Sequence, residues 1–433
     1  MTDLSIEQSV AIEQFKEGHN LFISGPAGSG KSFIINLLFK QAKINRKNIQ
    51  ICAPTGCSSL LLKDIGAKTI HSFAGIGLAT EENVVIVNKV YSNYNKRKDW
   101  KSLDVLIIDE CSMISVKIFE LIDAIAKRCR NNNKPFGKIQ IVLVGDYFQL
   151  CPIETQGQPE TGKFCFESPL WNETFKPENH IILKTIFRQK DMVFQTILEE
   201  VRLNKMSDET IDILNSRVGQ IPDSHIPICK IFPINNLVEK ENNKKFNELL
   251  TEKKVYTMTS ILDYPELMRT IDSTESQINS EVSRLKQNSL LREILELRAE
   301  ATVMCVTNMP DFGICNGSLG KIVSIENNII IVNFGPDVGH IHISKHRNES
   351  EYIKGVFIQQ FPLILGYAST IHKIQGQTID NIELDIGSSV FTSAQSYVGI
   401  SRAKTLDGLY LKSFNPTKVK TNPKAIEFYN NLN

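Results

Sequence analysis

An α/β fold is what this sequence predicts, built on a parallel sheet with crossover helices and followed by a β-rich insert. Three observations predict it. Short apolar runs at Leu21–Ser24, Ile49–Ala53, Val105–Ile108 and Ile139–Val144 alternate with segments of helical periodicity, the order that a parallel sheet requires. A glycine-rich loop joins the first run to a helix. Between Lys253 and Phe361 the pattern changes to short β-rich runs separated by turn residues.

The loop is GPAGSGKS, Gly25–Ser32, and it fills G-x-x-x-x-G-K-[ST] with Gly25, Gly30, Lys31 and Ser32. Gly28 adds a place where backbone can approach a ligand closely, and Pro26, Ala27 and Ser29 complete the cradle. Its N–H groups, with the N-terminus of the following helix, form a concave site for phosphate. Lys31 would neutralise β/γ-phosphate charge and Ser32 would hold Mg²⁺ through its hydroxyl. Nucleotide binding follows from this context.

Composition bounds the rest. A chain of 433 residues is too long for one ordinary core, so two to four domains are expected. Hydrophobic content of 42% and charged content of 22% are globular, and a net charge of +1 neither demands nor excludes nucleic acid. Nine cysteines, an odd number with no C-x-x-C pair, favour a reducing compartment. The start, MTDLSIEQSV, lacks the features of a signal or transit peptide, and no apolar run approaches the roughly 20 residues that span a bilayer. An intracellular soluble enzyme without a membrane partner is expected.

In chain order, residues 4–15 carry Ile6, Val10 and Phe15 at helical spacing behind Ser5 as N-cap. Gln8 on that helix would read an adenine edge, although an exposed helical Gln taken alone is usually a solvated one. Pro54 and Thr55 follow the second strand at the sheet edge where ligands bind, ahead of a helical run over Cys57–Lys63. His71, Ser72 and Phe73 mix imidazole, hydroxyl and aromatic groups suited to phosphate contact and base stacking, while His71 alone also fits a hydrogen-bonded core histidine. Residues 81–101 interleave Tyr91, Tyr94 and Trp100 with Lys96, Arg97 and Lys98, which suits a single-strand groove or wedge and equally a solvated surface helix. The strand Val105–Ile108 ends in Asp109, the metal-side acid, and Glu110, the candidate general base. Lys117–Arg130 is amphipathic, and the next strand runs into Gly145–Leu150, where Gln149 would sense the γ-phosphate and Asp146 would relay that contact toward nucleic acid. Helices are expected over Gln189–Asn204, Asp208–Asn215 and Glu281–Ala299. Strands are expected over Ile228–Pro233, Thr302–Val306, Leu319–Ile325, Ile329–Phe334 and His340–Ile343, with turns at Asn316–Gly317 and Asn327–Asn328.

The order GPAGSGKS, APTG, TIHSF, IIDECSM, VGDYFQL resembles the N-terminal half of superfamily-one DNA helicases, and the stretch from Asp109 to Ile153 resembles the petite-integration-frequency (PIF) helicase family. Ile186–Gln189, Val303–Met304 with Asn316–Gly320, Ala368–Thr378 and Gln395–Ala403 resemble that family's later motifs, so the similarity runs from about Leu4 to Leu411. Cys151 and Ile374 depart from the family's usual proline and serine, at positions without phosphate chemistry.

The resemblance implies an ATP-dependent DNA helicase that uses Mg²⁺ and moves 5′-to-3′ on single strands, acting in replication, repair or recombination. The alternative is a single-strand translocase, or a motor subunit of a larger complex, that does not unwind alone. It implies two RecA-like parallel-sheet domains: residues 1–185, with a small wedge-type insert at about 78–101, and residues 186–252 with 362–433. An SH3-like β-barrel with a helical segment would be inserted at 253–361. Arg188 and Arg402 would act as arginine fingers, with Lys31, Glu110 and Gln149 completing the catalytic set. Gly376 and Tyr397 would lie on the nucleotide side, and Thr370, His372, Lys373 and Gln375 would contact nucleic acid with Pro54, Thr55, His71, Ser72 and Phe73. Such a surface reads backbone and shape, so single-stranded DNA, forked or tailed duplexes, RNA–DNA hybrids and G-quadruplexes are admissible partners for a motor expected to be monomeric. With the motor starting near Met1, a compact form acting in nucleus or cytoplasm, or at a viral or phage replication site, is expected.

Overall fold

The computed structural model describes residues 4–60, 62–189, 191–220, 228–263, 274–289, 291–307, 309–314, 318–326, 329–336, 338–350 and 353–432. The chain divides into two compact units, one of Met1–Ile234 with Thr370–Asn433 and one of Asn235–Ser369.

The first unit is built on a six-stranded sheet of β1 (Leu21–Ser24), β2 (Ile49–Ala53), β3 (Lys68–Thr69), β4 (Val105–Ile108), β5 (Gln140–Gly145) and β6 (His180–Ile182), in the order β3-β2-β4-β5-β1-β6. Every pairing is parallel, with Ser24 opposite Gly145 and Cys52 opposite Ile108. β1, β4 and β5 are buried throughout, which is why they read as apolar runs, broken only by Ser24 at the end of β1 and Gln140 at the start of β5. One face packs Ile23, Ile34, Leu38 and Val142; the other packs Phe22, Phe119, Tyr147 and Trp171. Cys229–Phe232, Ile382–Ile386 and Leu409–Phe414 form a second set of parallel strands in this unit. Its core, around Ile231, Leu384, Val398 and Ile400, takes in Ala27 of the glycine-rich loop.

Residues 81–101 form two helices, Asn83–Ser92 and Tyr94–Ser102, packed on the helix Val116–Arg130. Their aromatics are largely committed inside the fold. Trp100 is fully buried, and the Tyr91 ring is covered by the guanidinium groups of Arg97 and Arg128 at 5.1 and 4.6 Å. Tyr94 alone of the three is well exposed, at 67%.

The second unit is mainly antiparallel. Strands Thr302–Cys305, Leu319–Glu326, Ile329–Asn333, His340–Ile343 and Leu363–Leu365 form a five-stranded sheet around Val303, Ile322, Ile330 and Phe361. The helix expected over Glu281–Ala299 is corrected: the helix is Glu275–Asn288, and Ile294–Arg298 is a strand paired with Lys253–Thr257. Leu295 and Leu297 are buried while Ile294 and Glu296 are exposed, a period of two that the charged composition masked. The turns expected at Asn316–Gly317 and Asn327–Asn328 lie outside the described residues.

Candidate active site

The glycine-rich loop leaves β1 and enters the helix Lys31–Ile44. Gly28 and Gly30 take φ of +83° and +84°, a left-handed backbone that side chains resist. A Cβ on Gly28 would also stand 2.7 Å from Arg188 Cβ, because the segment 183–189 lies on the loop, where Phe187 N donates to Gly28 O at 2.8 Å. Gly25 is closed in by the Leu183 carbonyl in the same way. The Ala27 N–H donates to the Tyr397 hydroxyl at 2.9 Å. Lys31 Nζ donates to the carbonyls of Gly25 and Pro26 at 2.7 and 2.9 Å, and burial lowers its pKa against the pull of Asp146, Glu110 and Asp109. Ser32 is exposed on the first helical turn. Gln8 is buried, its carbonyl accepting from Ser5 N at 3.1 Å in a capping box, which leaves its Nε2 beside Gly30.

β4 delivers Asp109 and Glu110, both buried. Glu110 holds φ of +50°, a strained conformation for a side-chain-bearing residue, fixed in part by its N–H donating to Asp109 Oδ1 at 2.9 Å. Burial, then the neighbouring Glu110, pushes the Asp109 carboxyl up to about 7, with Lys31 opposing. Gln375 Nε2 donates to Glu110 Oε2 at 3.0 Å. The two arginines converge here as well. Burial lowers the Arg188 pKa while Glu110 raises it, and burial together with Arg188 brings Arg402 down to about 10. Arg402 is aimed by Val398 O, Gln377 O and Ser401 Oγ at 2.9, 3.1 and 2.8 Å.

Asp146, fully buried after β5, is the hub of a second cluster. It takes Arg202 Nε and Nη2 at 3.1 and 3.2 Å, the Phe148 N–H at 3.1 Å and the Tyr397 hydroxyl at 3.4 Å. These partners are internal, so Asp146 braces the loop around Gln149, whose N–H donates to Asp146 O at 2.8 Å. Ser29 Oγ, Gln149 Oε1, Arg188 Nη1, Gln189 Oε1 and Gln375 Oε1 are buried without a hydrogen-bond partner among the described residues. An orphaned buried guanidinium N–H costs about 1–3 kcal/mol, so Arg188 Nη1, with the Ser29 hydroxyl, fits an anionic oxygen, while the three amide oxygens are acceptors suited to a donor such as water. A divalent cation fits Ser32 and Asp109, whose carboxyl is raised by burial and by the neighbouring Glu110. Among the described residues no set of three or more His, Cys, Asp or Glu forms a ready cage, so phosphate oxygens and water would supply the other ligands.

The candidate nucleic-acid residues divide. Ser72 and Lys373 are exposed, and Pro54, Thr55, His71 and His372 are half-buried, with the Thr55 hydroxyl held by Ser58 at 2.9 Å and the His372 ring near Phe391. Thr370 is buried and accepts from Lys373 N at 3.4 Å. Phe73 is buried against Trp100 at 5.1 Å, which withholds its ring from base stacking. Gln375 is buried on Glu110 rather than on an open surface, and Gly376, at φ of +86°, follows it. Arg202, Tyr429 and Gln189 complete the site without having been singled out in the sequence. Gln189 alone carries a local signal, as the residue after Arg188 in IFRQ.

The PIF1-like helicase family matches residues 3–225, and the 2B domain of DNA helicase Pif1 matches residues 282–325. The chain is 32% identical over 476 residues to the ATP-dependent DNA helicase PIF1 of Emericella nidulans, covering 96% of this chain and 61% of that one. It is 31% identical over 432 residues to the ATP-dependent DNA helicase Pif1 of Bdellovibrio bacteriovorus, covering 99% and 92%. Thus it spans about three fifths of the first relative and nearly all of the second. Among solved structures, the Pif1 helicase of Candida albicans superposes with a TM-score of 0.86 at 31% identity over 100% of both chains. Pif1 helicase from Bacteroides, in complex with ADP-AlF3 and single-stranded DNA, gives 0.76 at 26% identity over 100% of this chain and 97% of that one.

Proposed function

The chain belongs to the PIF1-like helicase family, and from that membership we propose that it is an ATP-dependent DNA helicase moving 5′-to-3′ along single-stranded DNA and separating duplex DNA. The observation that carries the reading is the hydrogen bond from Gln375 to Glu110, with the segment of Arg188 lying on the phosphate loop that holds Lys31. The nucleotide and single-stranded DNA bound by the Bacteroides relative support it.

On this reading Lys31 exchanges the Gly25 and Pro26 carbonyls for phosphate oxygens, and the loop N–H groups hold the β-phosphate. Arg188 and Arg402 neutralise charge that builds on the γ-phosphoryl group. Glu110, oriented by Gln375, positions the attacking water, and Gln149 reads the γ-phosphate from the Asp146 loop. Ser32 and Asp109 would hold Mg²⁺, which when bound would supply charge neutralisation to the phosphates. Lys373, His372, Ser72, His71, Thr55 and Pro54 supply the strand-facing groups, with backbone contacts that suit single strands and forked or tailed duplexes. The domain division carried into this reading is residues 1–185, residues 186–252 with 362–433, and an inserted β domain at 253–361.

The test is strand separation by the purified chain with ATP and Mg²⁺, on duplexes carrying a single-stranded tail on either side. Unwinding with the 5′ tail alone is expected. Unwinding only with the 3′ tail overturns the polarity, and DNA-stimulated hydrolysis without unwinding replaces the helicase by a translocase.

A further inference from the structure

The last helix, Pro423–Asn430, places adjacent aromatics in two different environments. Phe428 enters the core, 4.3 Å from Phe166 and 5.2 to 5.6 Å from Tyr147, Phe22 and Trp171. Tyr429 stacks on Phe148 at 4.8 Å and sends its hydroxyl toward the active site. There it lies 2.5 Å from Ser24 Oγ, accepts the Tyr147 N–H at 3.1 Å and lies 3.5 Å from Asp146 Oδ1. Burial and Asp146 push the phenol well above its usual pKa, so the hydroxyl keeps its proton and can donate.

These partners sit on the two strand ends that build the nucleotide site. Ser24 is the last residue of β1, next to Gly25, and Tyr147 N–H and Asp146 belong to the loop that leaves β5 for Gln149. The strands themselves are registered by Ser24 opposite Gly145, but beyond that pair the sheet imposes nothing on the diverging loops. The Tyr429 hydroxyl spans them at the strand ends, as the Tyr397 hydroxyl does further out between Ala27 and Asp146. Core packing requires only the ring; a buried hydroxyl is tolerated only where its hydrogen bonds are met, and here they reach Ser24 at the end of β1 and Asp146 and Tyr147 on the loop after β5.

We propose that Tyr429 is a positioning residue for ATP hydrolysis: by tying Ser24 to Asp146 and Tyr147, its hydroxyl fixes the spacing of the phosphate loop and the Gln149 loop, so that Lys31 and Gln149 meet the same γ-phosphate. This rests on the ATPase reading above. A residue of this kind acts on turnover rather than on ground-state affinity, because the spacing it sets matters most where charge develops.

The experiment compares the wild-type chain with Tyr429→Phe, which keeps the stacked ring and removes the hydroxyl, and with Phe428→Leu, which removes packing and no hydrogen bond. ATP turnover is measured with and without saturating oligothymidylate, alongside the thermal midpoint. For Tyr429→Phe, kcat should fall about 10-fold with KM for ATP within about two-fold. Phe428→Leu should lower the midpoint and leave kcat per folded molecule within about two-fold. Wild-type kcat in Tyr429→Phe overturns the proposal, as does a loss of kcat that merely follows loss of folded protein. A wild-type chain that does not hydrolyse ATP overturns the ATPase reading and this role together.

Discussion

Gln375 Nε2 donates to Glu110 Oε2 at 3.0 Å, joining residues 265 positions apart in one buried contact. The carboxylate that ends β4 is therefore oriented by a turn that follows Thr370, in a motif whose glutamine the sequence resemblance assigns to nucleic acid. Removing the donor leaves Glu110 buried with its charge unanswered on that side. A hydrogen bond to a charged group is worth about 1.5–3 kcal/mol, so Gln375→Ala should cost about 10- to 100-fold in kcat. Affinity for single-stranded DNA without nucleotide should stay within about two-fold. Normal turnover with weakened DNA binding would return Gln375 to the DNA surface.

Glu110→Gln keeps the size of the side chain and removes the base. Nucleotide binding should persist while the chemical step slows by about 10²–10⁴. Lys31→Ala should abolish hydrolysis, and steady-state turnover at the wild-type rate in either variant would refute the assigned chemistry.

Arg188 is expected to behave oppositely in stability and in rate. Its Nη1 is buried without a partner among the described residues, and burial lowers its pKa. Arg188→Ala should therefore leave the thermal midpoint of the nucleotide-free chain unchanged or raised, while cutting kcat by about 10³ or more. A midpoint that falls by several degrees would show that the guanidinium supports the fold instead.

Arg202 and Asp146 form a buried ion pair at 3.1 Å, with Arg202 lying also over the Phe148 ring at 4.4 Å. Arg202→Met retains bulk but strands the Asp146 charge. Breaking such a pair from one side costs about 3–5 kcal/mol, to be read from denaturant unfolding. If the double variant Arg202→Met with Asp146→Asn is no more stable than the single one, stranded charge is not the cause.

His180 sits among Phe22, Trp171 and Phe428, and burial lowers its pKa. The unfolded chain then takes up the proton first as pH falls, so this residue's contribution to stability is complete above the unfolded pKa and declines below about 6.5. Between about pH 7.5 and about pH 5.5 the wild-type midpoint should drop further than that of His180→Gln. Equal drops would remove His180 as a cause.

What could be read in the sequence was local. The phosphate loop and the pair Asp109–Glu110 are short patterns whose meaning is set by the strand before them, and β1, β2, β4 and β5 announce themselves because strands covered on both faces are mostly apolar, with Gln50 and Gln140 the polar exceptions in β2 and β5. Ile294–Arg298 misled because exposed Ile294 and Glu296 alternate with two buried leucines in a segment too short to show its period against charged flanks. Phe73 misled because composition cannot tell an exposed ring from one stacked on Trp100. Arg202 and Tyr429 gave no signal at all, since what defines them is Asp146, 56 and 283 residues away.

The Phe428 ring in the Phe22 core has a consequence for how the protein is made. Phe22, Tyr147 and Trp171 leave the ribosome with their sheet, but the ring that completes their packing is encoded about 250 residues later than Trp171. At roughly 5–20 residues per second that is a wait of tens of seconds, during which the nascent sheet presents an aromatic surface to any holding factor or sticky neighbour. Nucleotide could steady the loop in that interval, but only the finished chain can cover the face behind it.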